Sequence, residues 1–278
     1  MSLVGGLLER AARATPAAVE DRSSGWWLRH TDGRAWWSGA VLAHGAADVG
    51  RLAERIDAAE RFYAEHRATS RFQVCASCPP GLDAMLAERG YRWESPISLR
   101  ATRFDRPVQP QTVPGFQVRV ASGVDQAWLA VLRSAGGPPT SAEHEVRLLR
   151  RVRLPREFVT VFAGRDPVAI GRAVADDGWT GVFGMITAPQ ARRQGAARLV
   201  LAAIAGWAGQ HGAPRLYLQV ERSNTTAARL YEATGFTEIA TYHYRVRDVG
   251  ARDDLASGSH PPASPGSHMR PSWRVTKV

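Results

Sequence analysis

The sequence predicts a mixed α/β fold, and three observations predict it. The C-terminal half reads as strand, helix, helix, three strands, helix, strand, helix, strand, an order that suits a mixed sheet covered by helices. The N-terminal half reads as a weaker version of a similar plan. The two halves also share a local pattern over 82–91 and 227–236, a short helix stopped by glycine and followed by an aromatic residue and a strand, which hints at a duplicated domain. With 278 residues, 44% hydrophobic and 22% charged, the chain can bury a sizeable core.

The elements of the C-terminal half follow from periodicity and punctuation. Residues 116–120 form a short strand, and 125–135 and 141–152 have amphipathic helical spacing around a Gly-Gly-Pro-Pro break. Residues 157–164 and 167–175 are strands joined at Arg165-Asp166, and Asp176-Asp177-Gly178 turns the chain into a strand at 179–187. An Ala/Leu-rich helix is expected from about Gln190 to Gln210, with Gly212 as its stop. Leu216, Leu218 and Val220 alternate in a strand at 215–221, a helix at 224–234 ends at Gly235, and 237–246 is the last strand.

In the N-terminal half, 26–30 and 34–41 read as a hairpin around Asp32-Gly33, with a helix at 49–66. A strand at 71–76, a helix at 81–89 ending at Gly90 and a strand at 98–103 follow. Residues 1–20 are expected to hold a short amphipathic helix. Their Leu-rich stretch is too short for a signal peptide and is interrupted by Glu9, Arg10 and Arg13.

Two composition breaks set the expected domains. Three prolines and a glycine at 105–115 suit an extended linker between domains at 1–104 and 116–249. From Gly250 the chain is rich in Ser, Pro, Gly and His, so 250–278 is expected to be a disordered tail without assigned function. No apolar run approaches the roughly 18 residues of a membrane span, and a cytoplasmic location is the default expectation.

The net charge of +10 is almost all arginine, since Lys277 is the only lysine. The arginines are scattered, and the densest run, Arg147 to Arg156, has no interleaved aromatic signature, which argues against a nucleic-acid partner. Cys75 and Cys78 form one Cys-x-x-Cys pair, which cannot complete a four-ligand zinc site. Prolines follow at once where a redox motif would open a helix. Two ordinary reduced cysteines and no metal are therefore expected.

The most informative stretch is 187–201. A strand ends at Thr187, Pro189 breaks it, and a basic loop of small residues opens a long helix. Gly195 and Ala197 keep side chains away from the backbone, so amides at the helix start can point at an anion, aided by the helix dipole. Arg192, Arg193 and Arg198 add charge. That combination suits a pyrophosphate, and neither a Walker-type loop nor a dinucleotide Gly-x-Gly-x-x-Gly is present.

At this point the sequence resembles the GCN5-related N-acetyltransferase superfamily. The superfamily's pyrophosphate signature, Gln/Arg-x-x-Gly-x-Gly/Ala, reads here Arg192-Arg193-Gln194-Gly195-Ala196-Ala197, with Pro189 upstream. Its second block, Asn-x-x-Ala-x-x-x-Tyr-x-x-x-Gly-Phe, reads Asn224, Ala227, Tyr231, Gly235 and Phe236. Both blocks stand in order with one strand between them, and the resemblance covers roughly 116–247. It implies the superfamily fold, in which two parallel strands, here 179–187 and 215–221, splay apart and hold the cofactor.

The resemblance further implies an acetyl-CoA-dependent N-acetyltransferase that moves an acetyl group directly to a primary amine. Backbone groups of Met185, Ile186 and Thr187 would pair with the pantetheine arm, and an amide there would polarise the thioester carbonyl. Arg192, Arg193, Gln194, Gly195, Ala196, Ala197 and Arg198 would bind the phosphates. Asn224 would contact the pantetheine, and Tyr231, with a phenol pKa of about 10, would protonate the leaving thiolate. Glu221, Asp176 and Asp177 near strand ends and Tyr242 and His243 on the last strand are the candidate bases, each equally open to a structural role, and Glu221 is the one assigned. Many members of the superfamily use a water chain, so no dedicated base is required.

Gly25-Trp26-Trp27-Leu28-Arg29, Phe72-Gln73-Val74 and 86–91 look like the first half of tandem acetyltransferases, in which the first domain has often lost its cofactor loop. The N-terminal domain is therefore expected to be a degenerate copy without a second acetyl-CoA site, supporting the active domain and lining part of the acceptor pocket. Trp26, Trp27, Trp36 and Trp37 are expected in its core. The acceptor, whether small molecule or peptide, is open, because 136–144 carries no diagnostic chemistry. An oligomer is compatible with the sequence. A non-catalytic acetyl-CoA-binding sensor or scaffold is the alternative class, and intact Asn224 and Tyr231 count against it.

Overall fold

A computed structural model describes residues 2–31, 38–44, 51–103, 112–134 and 139–248, without the side chains of 139–142, 144 and 145. In chain order the elements are α1 (Leu3–Ala14), β1 (Val19–Asp21), β2 (Leu28–His30), β3 (Val41–Leu42), α2 (Leu52–Glu65), β4 (Ser70–Cys75), α3 (Leu82–Glu88) and β5 (Arg92–Arg103). Then come β6 (Phe116–Ala121), α4 (Gln126–Ser134), α5 (Pro139–Arg151), β7 (Arg156–Ala163), β8 (Asp166–Asp176) and β9 (Trp179–Thr187). A 3-10 turn (Pro189–Ala191), α6 (Ala196–Gln210), β10 (Arg215–Glu221), α7 (Thr225–Glu232) and β11 (Thr237–Arg247) complete the chain. The order from β6 onward is the one the sequence predicts. Among the described residues no helix is long and apolar enough to cross a membrane.

The chain divides into two units. The first holds residues 2–16 and 96–242, and the second holds 17–95 and 243–248 among the described residues. The linker expected at 105–115 lies outside the described residues up to 111, as do Trp36, Trp37, the Asp32-Gly33 turn, 135–138 and the tail. The division differs from one at 104–105, because α1 and most of β5 belong with the later strands.

In the first unit β6, β7, β8 and β9 form an antiparallel meander, β9 pairs parallel with β10, and β10 pairs antiparallel with β5. Alternation sends successive side chains of β7 to opposite faces. Phe158 packs with Trp128, Val131 and Leu149 of α4 and α5, whereas Val159 and Val161 join Val200 and Ile204 of α6. The β8–β9 turn is a two-residue hairpin at Asp177 and Gly178, with φ of 48° and 72°, the mirror-image turn whose twist matches paired strands.

Helix α1 docks on that hairpin's end. Ser2 caps it by accepting from the Gly5 amide at 3.1 Å. Leu7, Leu8, Ala11 and Ala12 are buried. Arg10 pairs with Asp177 at 2.6 Å, Arg13 with Asp176 at 2.7 Å, and the Arg172 guanidinium donates to the Ala14 carbonyl at 3.1 Å. Asp176 and Asp177 are thus held by structural ion pairs.

The second unit has its own core of Trp26, Leu28, Leu52, Ile56, Phe72, Leu82, Leu86 and Tyr91. Trp26 and Tyr91 both meet Phe72 edge to face. Trp27 is also buried, and its indole donates to Glu20 at 3.2 Å. β2 pairs antiparallel with β1 and β3 pairs parallel with β4, while Trp27 and Leu42 form an antiparallel bridge; the rest of the hairpin expected for 26–30 and 34–41 runs through 32–37, outside the described residues. A three-residue strand such as Val-Glu-Asp has no alternation long enough to read. His243 sits 2.8 Å from Asp83 and against the Trp93 ring.

Candidate acyl-CoA site

The parallel pair β9–β10 is where the sheet opens. The strands are in register only at Arg215↔Trp179, Leu216↔Thr180 and Tyr217↔Gly181, and the rest of β9 has no partner in β10. Two local features turn β9 away. Between Arg172↔Phe183 and Ile170↔Ile186, Gly184 and Met185 face the single residue Gly171, which is a β-bulge. Gly184 has φ +61° and supplies the kink. At the paired end Tyr217 is fully packed across Gly181, and burial pushes its phenol well above the usual range.

Beyond β9, Ala188 leads into the 3-10 turn and then the basic loop. The Arg192 Nε donates to the Thr187 carbonyl at 3.2 Å, and the Gln194 amide nitrogen donates to the Gln190 carbonyl at 2.7 Å. Arg193 has φ +61° and Gly195 φ +94°. The first left-handed residue is unexpected in an arginine. The second is why glycine stands where α6 begins, six residues later than the sequence suggests. No side chain caps α6 and no acidic residue occupies its first turn, so its leading amides remain available to an anion.

A cleft of about 650 Å³ lies over this helix start. It is lined by Thr187, Ala191, Arg192, Arg193, Gly195, Ala196, Ala197 and Arg198 on one side, and by Thr226, Arg229, Leu230 and Ala233 of α7 on the other. Four guanidinium groups and no carboxylate line it. The expected phosphate residues therefore converge, except that Gln194 is not in the lining.

Helix α7 presents two faces. Asn224, Ala227 and Tyr231 are buried, at relative exposures of 6%, 0% and 1%, while Thr226, Arg229, Leu230 and Ala233 face the cleft. The Asn224 Oδ1 accepts from the Ala227 amide at 3.2 Å and caps the helix. Tyr231 meets Phe236 edge to face and shares a core cluster with Met185, Leu218 and Val220, the residues flanking the opening between β9 and β10. Gly235, at φ +89°, ends the helix, and the Phe236 amide donates to the Tyr231 carbonyl at 2.9 Å. Buried Arg100 on β5 pairs with Glu232 at 2.9 Å and fixes the helix to the sheet.

Glu221 ends β10, half-buried, and accepts from the Ser223 hydroxyl at 3.3 Å. It does not line the cleft, and neither do Met185 and Ile186. Tyr242 donates to the Gln219 side chain at 2.6 Å. Motif spacing missed Thr226 and Arg229. The helical repeat placed them one step round from the motif's own residues, and that was the signal available.

A bulged strand, a diverging parallel partner and a basic helix start together define the GCN5-related N-acetyltransferase class of fold. Comparison with known proteins gives the same class. The model of a family described as "Probable histone acetyltransferase Rv0428c C-terminal" matches residues 6–247. The chain belongs to that family, within the GCN5-related N-acetyltransferase superfamily. It is 24% identical over 249 residues to "Uncharacterized N-acetyltransferase YobR" of Bacillus subtilis (strain 168), covering 86% of this chain and 97% of that protein. A GCN5-related N-acetyltransferase from Kribbella flavida superposes with a TM-score of 0.69 at 20% identity, over 92% of this chain and 98% of the other. A tandem GNAT protein from the clavulanic acid biosynthesis pathway superposes with a TM-score of 0.63 at 12% identity, over 81% and 78% of the two chains. Both show the mixed α/β fold, and the family is one of acetyltransferases.

Proposed function

We propose that the first unit binds acetyl-CoA in the α6–α7 cleft and moves its acetyl group directly to a primary amine. The observation that carries this is the cleft itself, where uncapped α6 amides and four arginines face one volume without a carboxylate. Phosphates of a CoA match that charge, and the glycine at 195 leaves room for them against the backbone.

When bound, acetyl-CoA supplies an activated acyl carbon and a thiolate leaving group. Met185, Ile186 and Thr187 lie on the part of β9 without a partner in β10, so their backbone groups can pair with an extended arm as a strand would. An amide there would polarise the thioester carbonyl. Tyr231 is packed beneath the same opening and is the acid that would protonate the thiolate as the carbon–sulfur bond breaks. Asn224 holds the start of α7, and through it the Tyr231 side chain. Glu221, at the end of β10, would take the amine proton directly or through water.

Among the described residues the second unit has no basic glycine loop opening a helix. We assign it a supporting role as a degenerate copy without acetyl-CoA, with the acceptor a small-molecule or peptide amine and the setting cytoplasmic. Calorimetric titration with CoA tests the reading. Wild-type protein should bind with one site, and Gly195→Glu, which puts a carboxylate and a strained backbone at the helix start, should lose binding. Retained affinity in that variant would remove the loop from the site.

A further inference from the structure

The end of β4 carries a second chemical cluster that acetyl transfer does not use. β3 and β4 run parallel in the register Val41↔Phe72 and Leu42↔Gln73. Two residues further along, the same register brings His44 beside Cys75. The chain then turns, with the Cys78 amide donating to the Cys75 carbonyl at 3.0 Å, and the second thiol returns to the first. His44 Nε2 lies 3.6 Å from Cys75 Sγ, and Cys75 Sγ lies 3.7 Å from Cys78 Sγ. All three donor atoms are within 4.8 Å of one another.

The two measured separations match edges of a metal tetrahedron. Bonds of about 2.3 Å to sulfur and about 2.0 Å to nitrogen set two sulfurs about 3.8 Å apart, and sulfur and nitrogen about 3.5 Å apart. The cluster is also supported from outside. The Cys75 amide donates to Cys78 Sγ at 3.4 Å and the Cys78 thiol donates to the Gln73 carbonyl at 3.4 Å, which hold that sulfur in place until ligation takes its proton. His44 is buried at 8% exposure, which fixes its ring, and both cysteines are half-buried, which leaves an ion a way in. The closest-lying carboxylate on α3, Asp83, is committed to Arg245 and His243.

We propose that His44, Cys75 and Cys78 bind one thiophilic cation of the zinc type, with no fourth ligand among the described residues. Two thiolates and an imidazole select such a cation over magnesium or calcium. Binding forms two metal–sulfur bonds and one metal–nitrogen bond, and the two thiols release their protons to solvent. The Cys-x-x-Cys pair supplies half a site, and strand pairing supplies the third ligand from 31 residues upstream.

The test uses the full chain, reduced and stripped of metal, titrated with cobalt(II) and then zinc(II). A sulfur-to-cobalt charge-transfer band should saturate at one equivalent per chain and be bleached by zinc, and elemental analysis should then find one zinc per chain. Cys75→Ser and Cys78→Ser should each lose the stoichiometric metal, and His44→Ala should weaken zinc binding while keeping both thiols. The cobalt titration needs no variant, so a misfolded variant leaves it decisive. A wild-type protein with two free thiols and no charge-transfer band overturns the site. Unchanged zinc affinity in His44→Ala, with an unaltered circular dichroism spectrum, overturns the third ligand and with it the proposal.

Discussion

Gly171→Ala adds one methyl group where the structure has no room for it. A Cβ at this position would lie 2.6 Å from Val200 Cγ1 and 2.7 Å from Met185 Sδ. Carbon contacts normally sit at about 3.5–4.0 Å, so the overlap is roughly 1 Å on two sides. Met185 can bend, but Val200 is β-branched, fully buried and fixed on α6. Helix α6 must therefore shift outward. Overpacking of this kind costs about 1–3 kcal/mol. The Gly171 backbone is not left-handed, so loss of glycine freedom in the unfolded chain returns about 0.4–1 kcal/mol. The net expectation is a loss of about 1–2 kcal/mol in urea unfolding, together with weaker CoA binding, because the start of α6 edges the cleft. Val200→Ala in the same chain should relieve the clash, giving a coupling of about 1 kcal/mol in a double-mutant cycle. A Gly171→Ala protein as stable as wild type, or a strictly additive double variant, would refute the packing argument.

Other outcomes follow from the same geometry. Tyr231→Phe should cut turnover about a hundredfold with CoA affinity nearly intact, and steady-state kinetics beside calorimetry would separate the two. Unchanged turnover would remove Tyr231 from proton transfer. Arg229→Ala should weaken CoA binding by about fivefold and flatten its salt dependence, since a partly exposed phosphate contact is worth about 1 kcal/mol. The Arg245 hydrogen bond, with His243 behind it, holds the Asp83 carboxyl below its usual 3.8. A depressed folded-state value contributes stability above the unfolded value and loses it as pH falls through the folded one. Asp83→Asn should therefore lower the melting temperature near neutrality and narrow its gap to wild type below about pH 4, a small effect because the carboxylate is half exposed.

The later half of the fold was legible because its signals are local. Asp177-Gly178 demands a mirror-image turn, and Leu216, Leu218 and Val220 alternate over a full strand. The start of α6 was not legible. An Ala/Leu-rich run looks helical from Gln190 onward, and nothing in an arginine announces a left-handed backbone at 193. The motif at 224–236 located α7 but marked its buried face, so the cleft side, with Thr226 and Arg229, had to come from the structure. His44 was invisible for another reason. Its partnership with Cys75 depends on which strands pair, and spacing along the chain carries no trace of that.

Helix α1 is made well before the residues that anchor it. Its anchors, Arg172, Asp176 and Asp177, follow it by about 160 residues. At synthesis rates of 5–20 residues per second the helix waits on the order of 10–30 s for them. A 12-residue helix is marginal alone in water, so its apolar stripe meets solvent or a chaperone before it meets the β8–β9 hairpin. A fragment cut to 116–249 would omit this helix together with β5. It would leave the carboxylates of Asp176 and Asp177 without their arginines and expose the inner edge of β10. Excising the half that bears the motifs would thus isolate the cleft from the segments that close its fold.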